Sequence, residues 1–336
     1  MGISIFFKKV KNKLRLRIIC CLRTKSYYPK IYKSYWYSII SSSNNCINNL
    51  NYYTAIPNRG AGIGHQMANW IAGYWYSKQF GLMFAHIPFS DKKWENILGF
   101  GEGETSIEEL LQKGYREIRL PLFNEFDPME VYLIKKIIGS YRNKRVVFVA
   151  EQDQFYRDQF GVMEEIKSKF YSAKARKNDR LIYSKENFNI AIHVRRGDIV
   201  SGMQKKNPNL IMRWQGNSYF EKILSTVVDN IKPNKPIFIY LFSEGTEKDF
   251  SDFEKFENIQ FCLEMGAQDS FLHMVYADLL ITSKSSFSYK PALLSHGIKV
   301  CPRNFWHGYP DKSNFVLADD DGNFEIKKLK TFFSNN

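Results

Sequence analysis

Apolar and polar residues alternate along this chain with two different periods. Short, unbroken apolar runs rich in strand-forming residues occur at Leu82 to Ile87, Arg145 to Ala150 (RVVFVA), 189–194, Pro236 to Phe242 (PIFIYLF), Ile259 to Leu263, Leu279 to Thr282 and Ile298 to Cys301. Runs of this length predict strands buried on both faces. Between them the apolar positions recur at helical spacing. Examples are Met67, Ile71, Tyr74, Trp75 and Phe80, the stretches Ile107 to Leu111, Val131 to Ile138, Tyr219 to Asn230 and Asp269 to Tyr276, and Phe287 to His296, which Gly297 stops. Strands alternating with helices predict an α/β fold with parallel sheets. A chain of 336 residues can bury about two cores. The charged segment Glu164 to Lys185 reads as a helix and a crossing, which puts a boundary near residue 180. The expected organisation is a leader and linker at 1–50, a Rossmann-like unit at 51–180 and a second at 181–330. The tail after Phe305 reads as irregular.

Charge changes this picture only at one end. The net charge of +14 suggests a nucleic-acid partner, but twelve Lys and Arg precede the first acid, Asp91, and ten of them lie between Lys8 and Lys33. The rest of the chain is close to neutral, so no nucleic-acid partner is expected. In the leader the cations are mixed with Phe6, Phe7, Leu14, Leu16, Ile18, Ile19, Tyr27, Tyr28 and Trp36. This mixture suits an anionic membrane surface, met through residues 6–36, with a cytoplasmic, peripheral location. A basic leader without a target is the competing reading. No apolar stretch approaches the roughly 20 residues that span a bilayer, and neither a secretory signal nor myristoylation is expected. Five cysteines without CxxC spacing, Cys20, Cys21, Cys46, Cys262 and Cys301, point to a reducing compartment.

Candidate chemistry concentrates at Phe188 to Asp198, FNIAIHVRRGD. An apolar strand delivers His193, Arg195, Arg196 and Asp198 to its carboxyl end, where open α/β sheets bind ligands. Two adjacent guanidiniums are costly to bury unless an anion meets them, and the expected anion is a diphosphate. A second candidate is SKSSFS, Ser283 to Ser288, between an apolar strand and a helix. Hydroxyls at a helix N-terminus bind anions, although Ser is also the preferred N-cap. The third is NRGAGIGHQ, Asn58 to Gln66, a Gly-rich turn opening a helix, which either admits a ligand to the backbone or allows tight packing. It has neither the Walker nor the dinucleotide spacing. The run Asp319-Asp320-Asp321-Gly322 reads as a solvated turn rather than a metal site, and Arg196-Gly197-Asp198 is a tripeptide match of little weight. The six histidines share no metal-ligand spacing, and no metal or other cofactor is expected.

In their order along the chain, three of these stretches resemble signatures of the α1,2-, α1,6- and protein O-fucosyltransferase superfamily, nearest its α1,2 and α1,6 branches. They are His193-Val194-Arg195-Arg196-Gly197-Asp198, the strand end Phe242-Ser243-Glu244, and Ala277-Asp278 followed by Ser285-Ser286-Phe287-Ser288. The turn at 60–66 is similar to the family's G-x-x-G-N-Q turn, and the match runs from residue 57 to about 305. The resemblance implies two facing Rossmann-like domains of GT-B type. It also implies an inverting, metal-independent transfer of fucose from GDP-fucose to a hydroxyl of a glycan acceptor. Arg195 would hold the donor β-phosphate with Ser286 on its other side, and His193 and Asp269 would face guanine. Arg196, Ser243, Glu244 and Ser285 would complete the donor site, Arg195 and Asp198 would be the catalytic pair, and Gly62, Gly64, His65 and Gln66 would form a donor or acceptor loop. The base for the acceptor proton is open among Asp198, Glu102 and Glu104. Departures from the pattern are His65 for Asn, Glu244-Gly245 for a paired acid, Tyr289-Lys290 for aromatics, and one extra residue between Asp269 and Asp278 relative to the α1,6 branch. Two alternatives stay open: a transferase of the same fold using another nucleotide sugar, and a non-catalytic membrane-associated scaffold.

Overall fold

The computed structural model describes residues 50–334 apart from 122, 143, 151–155, 157 and 205, together with residues 14, 17, 18, 21, 25, 27, 30, 31 and 34. Most of the basic leader, and with it the expected membrane contact, lies outside the described residues. No described helix is long and apolar enough to cross a membrane.

Two parallel sheets organise the chain. The first contains β1 (Tyr52–Ala55), β2 (Met83–His86), β3 (Thr105–Ser106), β4 (Arg116–Arg119) and β5 (Val146–Ala150), in the order β3-β2-β1-β5-β4. The second contains β6 (Phe188–His193), β7 (Ile237–Phe242), β8 (Ile259–Cys262), β9 (Leu279–Ile281), β10 (Ile298–Pro302) and β11 (Phe315–Ala318), in the order β11-β10-β9-β6-β7-β8. Its register sets Ala191 beside Tyr240 on one side and Leu280 on the other. Counted from β6, this is the dinucleotide-binding strand order, which reverses between β6 and β9. A crevice opens at the carboxyl ends of those two strands, and the arginine and serine segments follow directly from them. In the first sheet the reversal falls between β1 and β5, so the glycine turn leaves β1 at the corresponding place.

The helices are α1 (Ile63–Gln79), α2 (Lys92–Leu98), α3 (Ile107–Gln112), α4 (Pro128–Gly139), α5 (Met163–Ser172), α6 (Gly197–Gln204), α7 (Pro208–Ile211), α8 (Asn217–Asn230), α9 (Ala267–Tyr276), α10 (Ser286–Leu294) and α11 (Ile326–Ser334). Asp91, Ser106 and Asp127 cap α2, α3 and α4 through side-chain oxygens, each accepting from an N–H that the helix itself cannot bond. Trp70, Tyr53 and Tyr76 fill the first core, and Phe220, Phe250 and Phe253 the second. The halves meet where Trp94 packs edge-on against Phe271 and Phe287 at 5.4 and 6.4 Å. A buried bond from Lys290 Nζ to Gln159 Oε1, 2.8 Å long, also crosses between them. Tyr289 stacks on His307 and donates to the Gly308 carbonyl at 2.7 Å, so the Tyr289-Lys290 departure is occupied by packing. The tail is not irregular: β11 extends the second sheet and α11 packs on α8. Its strand is short and its helix is rich in lysine, which hides both from a search for apolar runs.

Candidate active site

The crevice at the end of β6 and β9 holds a cavity of about 590 Å³, within the range of small-molecule sites. One wall is His193, Val194, Arg195, Arg196 and Asp198; a second is Ser285, Ser286 and Phe287. The glycine turn, with Gly62, Gly64 and His65, closes it from the first half. Phe242, Leu263, Met265 and Ala267 give an apolar slot beyond β7 and β8.

Besides α6, whose first turn carries Asp198, three helix N-termini border this space. Helix α1 begins after Gly62 without a side-chain cap and without an acid in its first turn. Helix α10 begins at Ser286, capped by Ser285, whose Oγ accepts from the Phe287 N–H at 3.2 Å, and also lacks an acid there. Helix α9 contributes Ala267 and Ser270. Helix N-termini carry partial positive charge and unbonded N–H groups, so their convergence favours an anion. The Ser286 Oγ is buried without a hydrogen-bond partner. Leaving a buried hydroxyl unbonded costs about 1–3 kcal/mol, and an acceptor in the cavity would remove that cost.

The two arginines differ sharply. Arg195 donates from Nε and Nη2 to both carboxylate oxygens of Asp198, at 3.2 and 2.7 Å, and lies at the cavity wall with Asp198 largely exposed. Arg196 is buried. It donates to the carbonyls of Arg195 and Gln215 at 3.0 Å each and to Asn217 Oδ1 at 2.6 Å, and its guanidinium lies 4.2 Å over the Trp214 ring. Burial pulls its pKa down to about 10, which leaves it charged at neutral pH. Protein carbonyls, Asn217, an indole face and the nearby charge of Asp249 meet the second arginine, so the anion it faces belongs to the protein itself. Asp198 partners Arg195 rather than Arg196.

Other site residues are distributed between the cavity and its supports. His193 Nδ1 lies 2.8 Å from Ser283 Oγ. Burial first, then the neighbouring Arg195 and Arg196, push its pKa down to about 3, so the ring is neutral at physiological pH. Ser243 lines the cavity, but its Oγ donates to the Val194 carbonyl at 2.6 Å and ties β7 to the arginine segment. Glu244 borders the cavity with its carboxylate against Gly197, where an added Cβ would lie 1.6 Å from Oε2. Gln66 does not line the cavity: it holds the glycine turn by bonds to the Ala61 carbonyl and to Ser90 at 2.7 to 2.9 Å. Asp269 does not line it either, being exposed on the first turn of α9. Glu102 accepts from the Lys174 N–H, and Glu104 pairs with Lys169 at 2.5 Å, so both candidate bases from that loop are engaged elsewhere. In the acidic run, Asp319 closes its own turn through Asn323, while Asp320 receives Lys284 at 2.8 Å and steadies the serine segment.

Two residues escaped the sequence reading. Gln215 accepts Arg196 on its carbonyl and the Lys284 N–H on its side chain, at 3.0 and 2.7 Å, and so couples the arginine and serine segments. Arg213 lines the cavity with its guanidinium 4.3 Å over Trp306. Both come from a polar loop whose only local signal is the pairing Arg213-Trp214.

The depressed His193 pKa gives a stability prediction. Between pH 6.5 and about 3 the unfolded chain binds a proton at this residue that the folded chain refuses. Its contribution is therefore complete above pH 6.5 and declines as pH falls, by up to about 1.4 kcal/mol per unit. His193→Asn is expected to flatten the acid side of a urea-midpoint profile relative to the parent chain. Parallel profiles from pH 6.5 to 4 would assign the acid sensitivity to other groups.

No protein-family model and no curated protein matches this chain. It is structurally similar to solved structures. POFUT1 in complex with GDP aligns at a TM-score of 0.47 and 11% identity, covering 76% of this chain and 99% of that one. NodZ alpha-1,6-fucosyltransferase co-crystallized with GDP gives 0.45 and 11%, covering 82% and 97%. POFUT1 in complex with GDP-fucose gives 0.44 and 12%, covering 82% and 99%.

Proposed function

We propose that this chain is an inverting glycosyltransferase that takes fucose from GDP-fucose and transfers it to a hydroxyl of a glycan acceptor. The observation that carries the reading is the buried, unpartnered Ser286 Oγ at a helix N-terminus, in the same cavity as Arg195. Together they suit a diphosphate at the strand-order reversal. The apolar slot of Phe242, Leu263, Met265 and Ala267 suits a base beside it. Guanine and fucose as the particular base and sugar follow from the resemblance of the 193–198 and 285–288 signatures.

In the reaction the acceptor oxygen forms a bond to the anomeric carbon as the bond from that carbon to the β-phosphate oxygen breaks, with the electron pair leaving on GDP. Charge grows on the departing phosphate, and Arg195 with the α1 and α10 N-termini is already oriented to stabilise it. Asp198 fixes the Arg195 fork in place. The acceptor proton needs a base. Two carboxylates border the cavity, Asp198 and Glu244; the first is engaged with Arg195, so Glu244 is the better placed.

The test is calorimetric titration of the full chain with GDP, UDP and CDP in the presence of EDTA. Selective GDP binding supports the reading. Preference for UDP or CDP would redirect it to another nucleotide sugar, and binding of none by folded protein would favour a scaffold.

A further inference from the structure

Arg213 stands on a loop that no site signature includes. The loop is anchored by backbone bonds of Arg213 to Leu210 and of Trp214 to Ile211, each 3.0 Å, and by Trp214 beneath Arg196. The guanidinium rests 4.3 Å over the Trp306 ring. Such stacking fixes the plane of the fork while its in-plane N–H groups stay available to an acceptor. The Nε is buried without a hydrogen-bond partner. Burial and the nearby charge of Arg195 both push the Arg213 pKa down, with Asp198 opposing, so two cations face one small space.

Among the described residues, three arginines and two carboxylates line the cavity. Arg196 gives its N–H groups to protein carbonyls and Asn217, and Arg195 is partly neutralised by Asp198. A departing diphosphate bears charge on both phosphates, which one half-neutralised guanidinium does not match. We infer that Arg213 is a second phosphate-binding cation, taking the part of the donor diphosphate that Arg195 does not hold. The inference rests on the donor-site reading above and adds to it a residue, and a reason for Trp306: the indole is the platform that aims the fork.

The experiment is calorimetry on the full chain with inorganic pyrophosphate, GDP and GMP, for the parent, Arg213→Ala, Arg213→Lys and Trp306→Leu. Arg213→Ala is expected to weaken pyrophosphate and GDP by roughly 10- to 100-fold, the range for one charge-assisted contact, and to collapse the preference for GDP over GMP. Arg213→Lys should recover only part, because a lysine neither stacks nor forks, and Trp306→Leu should fall between. A purely structural role would lower the melting temperature and leave the GDP to GMP ratio intact. If pyrophosphate and GDP bind the alanine variant as they bind the parent, the role of Arg213 is overturned and the donor site stands. If pyrophosphate binding needs Arg213 but GDP is not preferred over UDP and CDP, Arg213 is supported and the guanine assignment is overturned. Failure of the parent to bind either anion overturns both.

Discussion

Arg195→Ala is expected to weaken GDP binding roughly 100-fold with little change in folding stability, and Arg196→Ala to do the reverse. The side chains are adjacent and chemically identical, so only their surroundings distinguish them. On the proposed reading, removing Arg195 deletes the charged partner of the donor phosphate in a partly desolvated cavity, a loss of about 2–5 kcal/mol in comparable charge pairs. Its loss to the fold is small, because the pair it makes with Asp198 is exposed on the carboxylate side, and such pairs contribute about 0–1 kcal/mol. Removing Arg196 strips donors from two carbonyls and from Asn217 and leaves a void over Trp214. That change is expected to cost about 3 kcal/mol or more, or roughly 4 °C or more in Tm for a chain of 336 residues. Titration with GDP and a thermal melt of each variant decide the matter. A silent Arg195→Ala beside an Arg196→Ala that loses binding at unchanged Tm would exchange the two roles.

The arginine pair also marks how far the sequence can be read. That an apolar strand delivers charge to its carboxyl end is visible in FNIAIHVRRGD, because the run is continuous and the polar residues begin abruptly. Which arginine faces the ligand is not visible, because successive residues of an extended chain point to opposite sides and the acceptors of Arg196 lie 19 and 21 residues away, at Gln215 and Asn217. The same limit applies to strands. β5, β6, β7 and β10 announce themselves through buried apolar runs, whereas β4, REIR, is an edge strand whose charged residues break the pattern, and β3 has only two residues. Asp269 and Gln66 were attractive by chemistry and by resemblance. Yet position on a helix turn sends one carboxylate to solvent, and bonds to Ala61 in its own turn and to Ser90, 24 residues away, hold the other side chain outside the cavity lining. Arg213 reaches the cavity by the path of a loop and the platform of Trp306, 93 residues later, a juxtaposition that the sheet order creates and no local pattern encodes.

The glycine turn admits a sharper test than its spacing suggests, because its alternate glycines do different things. Gly62 has φ −62° and ψ 162°, ordinary for any residue, and a Cβ there would meet nothing within 4 Å. A Cβ on Gly64 would lie 2.7 Å from the Ser286 carbonyl carbon and 2.8 Å from its Cβ and oxygen. Backbone cannot yield as a flexible side chain can, so the N-termini of α1 and α10 would have to separate. Gly64→Ala is therefore expected to destabilise the protein by about 1–3 kcal/mol, the usual range for overpacking. It should also weaken GDP binding at least tenfold, since the Ser286 hydroxyl and both helix ends move out of register with one ligand. Gly62→Ala should leave binding nearly unchanged and stability within about 0.5 kcal/mol of the parent, because restricting the unfolded chain without strain is offset by a poorer N-cap for α1. Melting curves and GDP titrations of the two variants separate the readings of this turn. Loss of affinity in both would mean that the ligand itself lies against Gly62; loss in Gly64→Ala alone makes the turn a contact that presses two helix N-termini into one anion cradle.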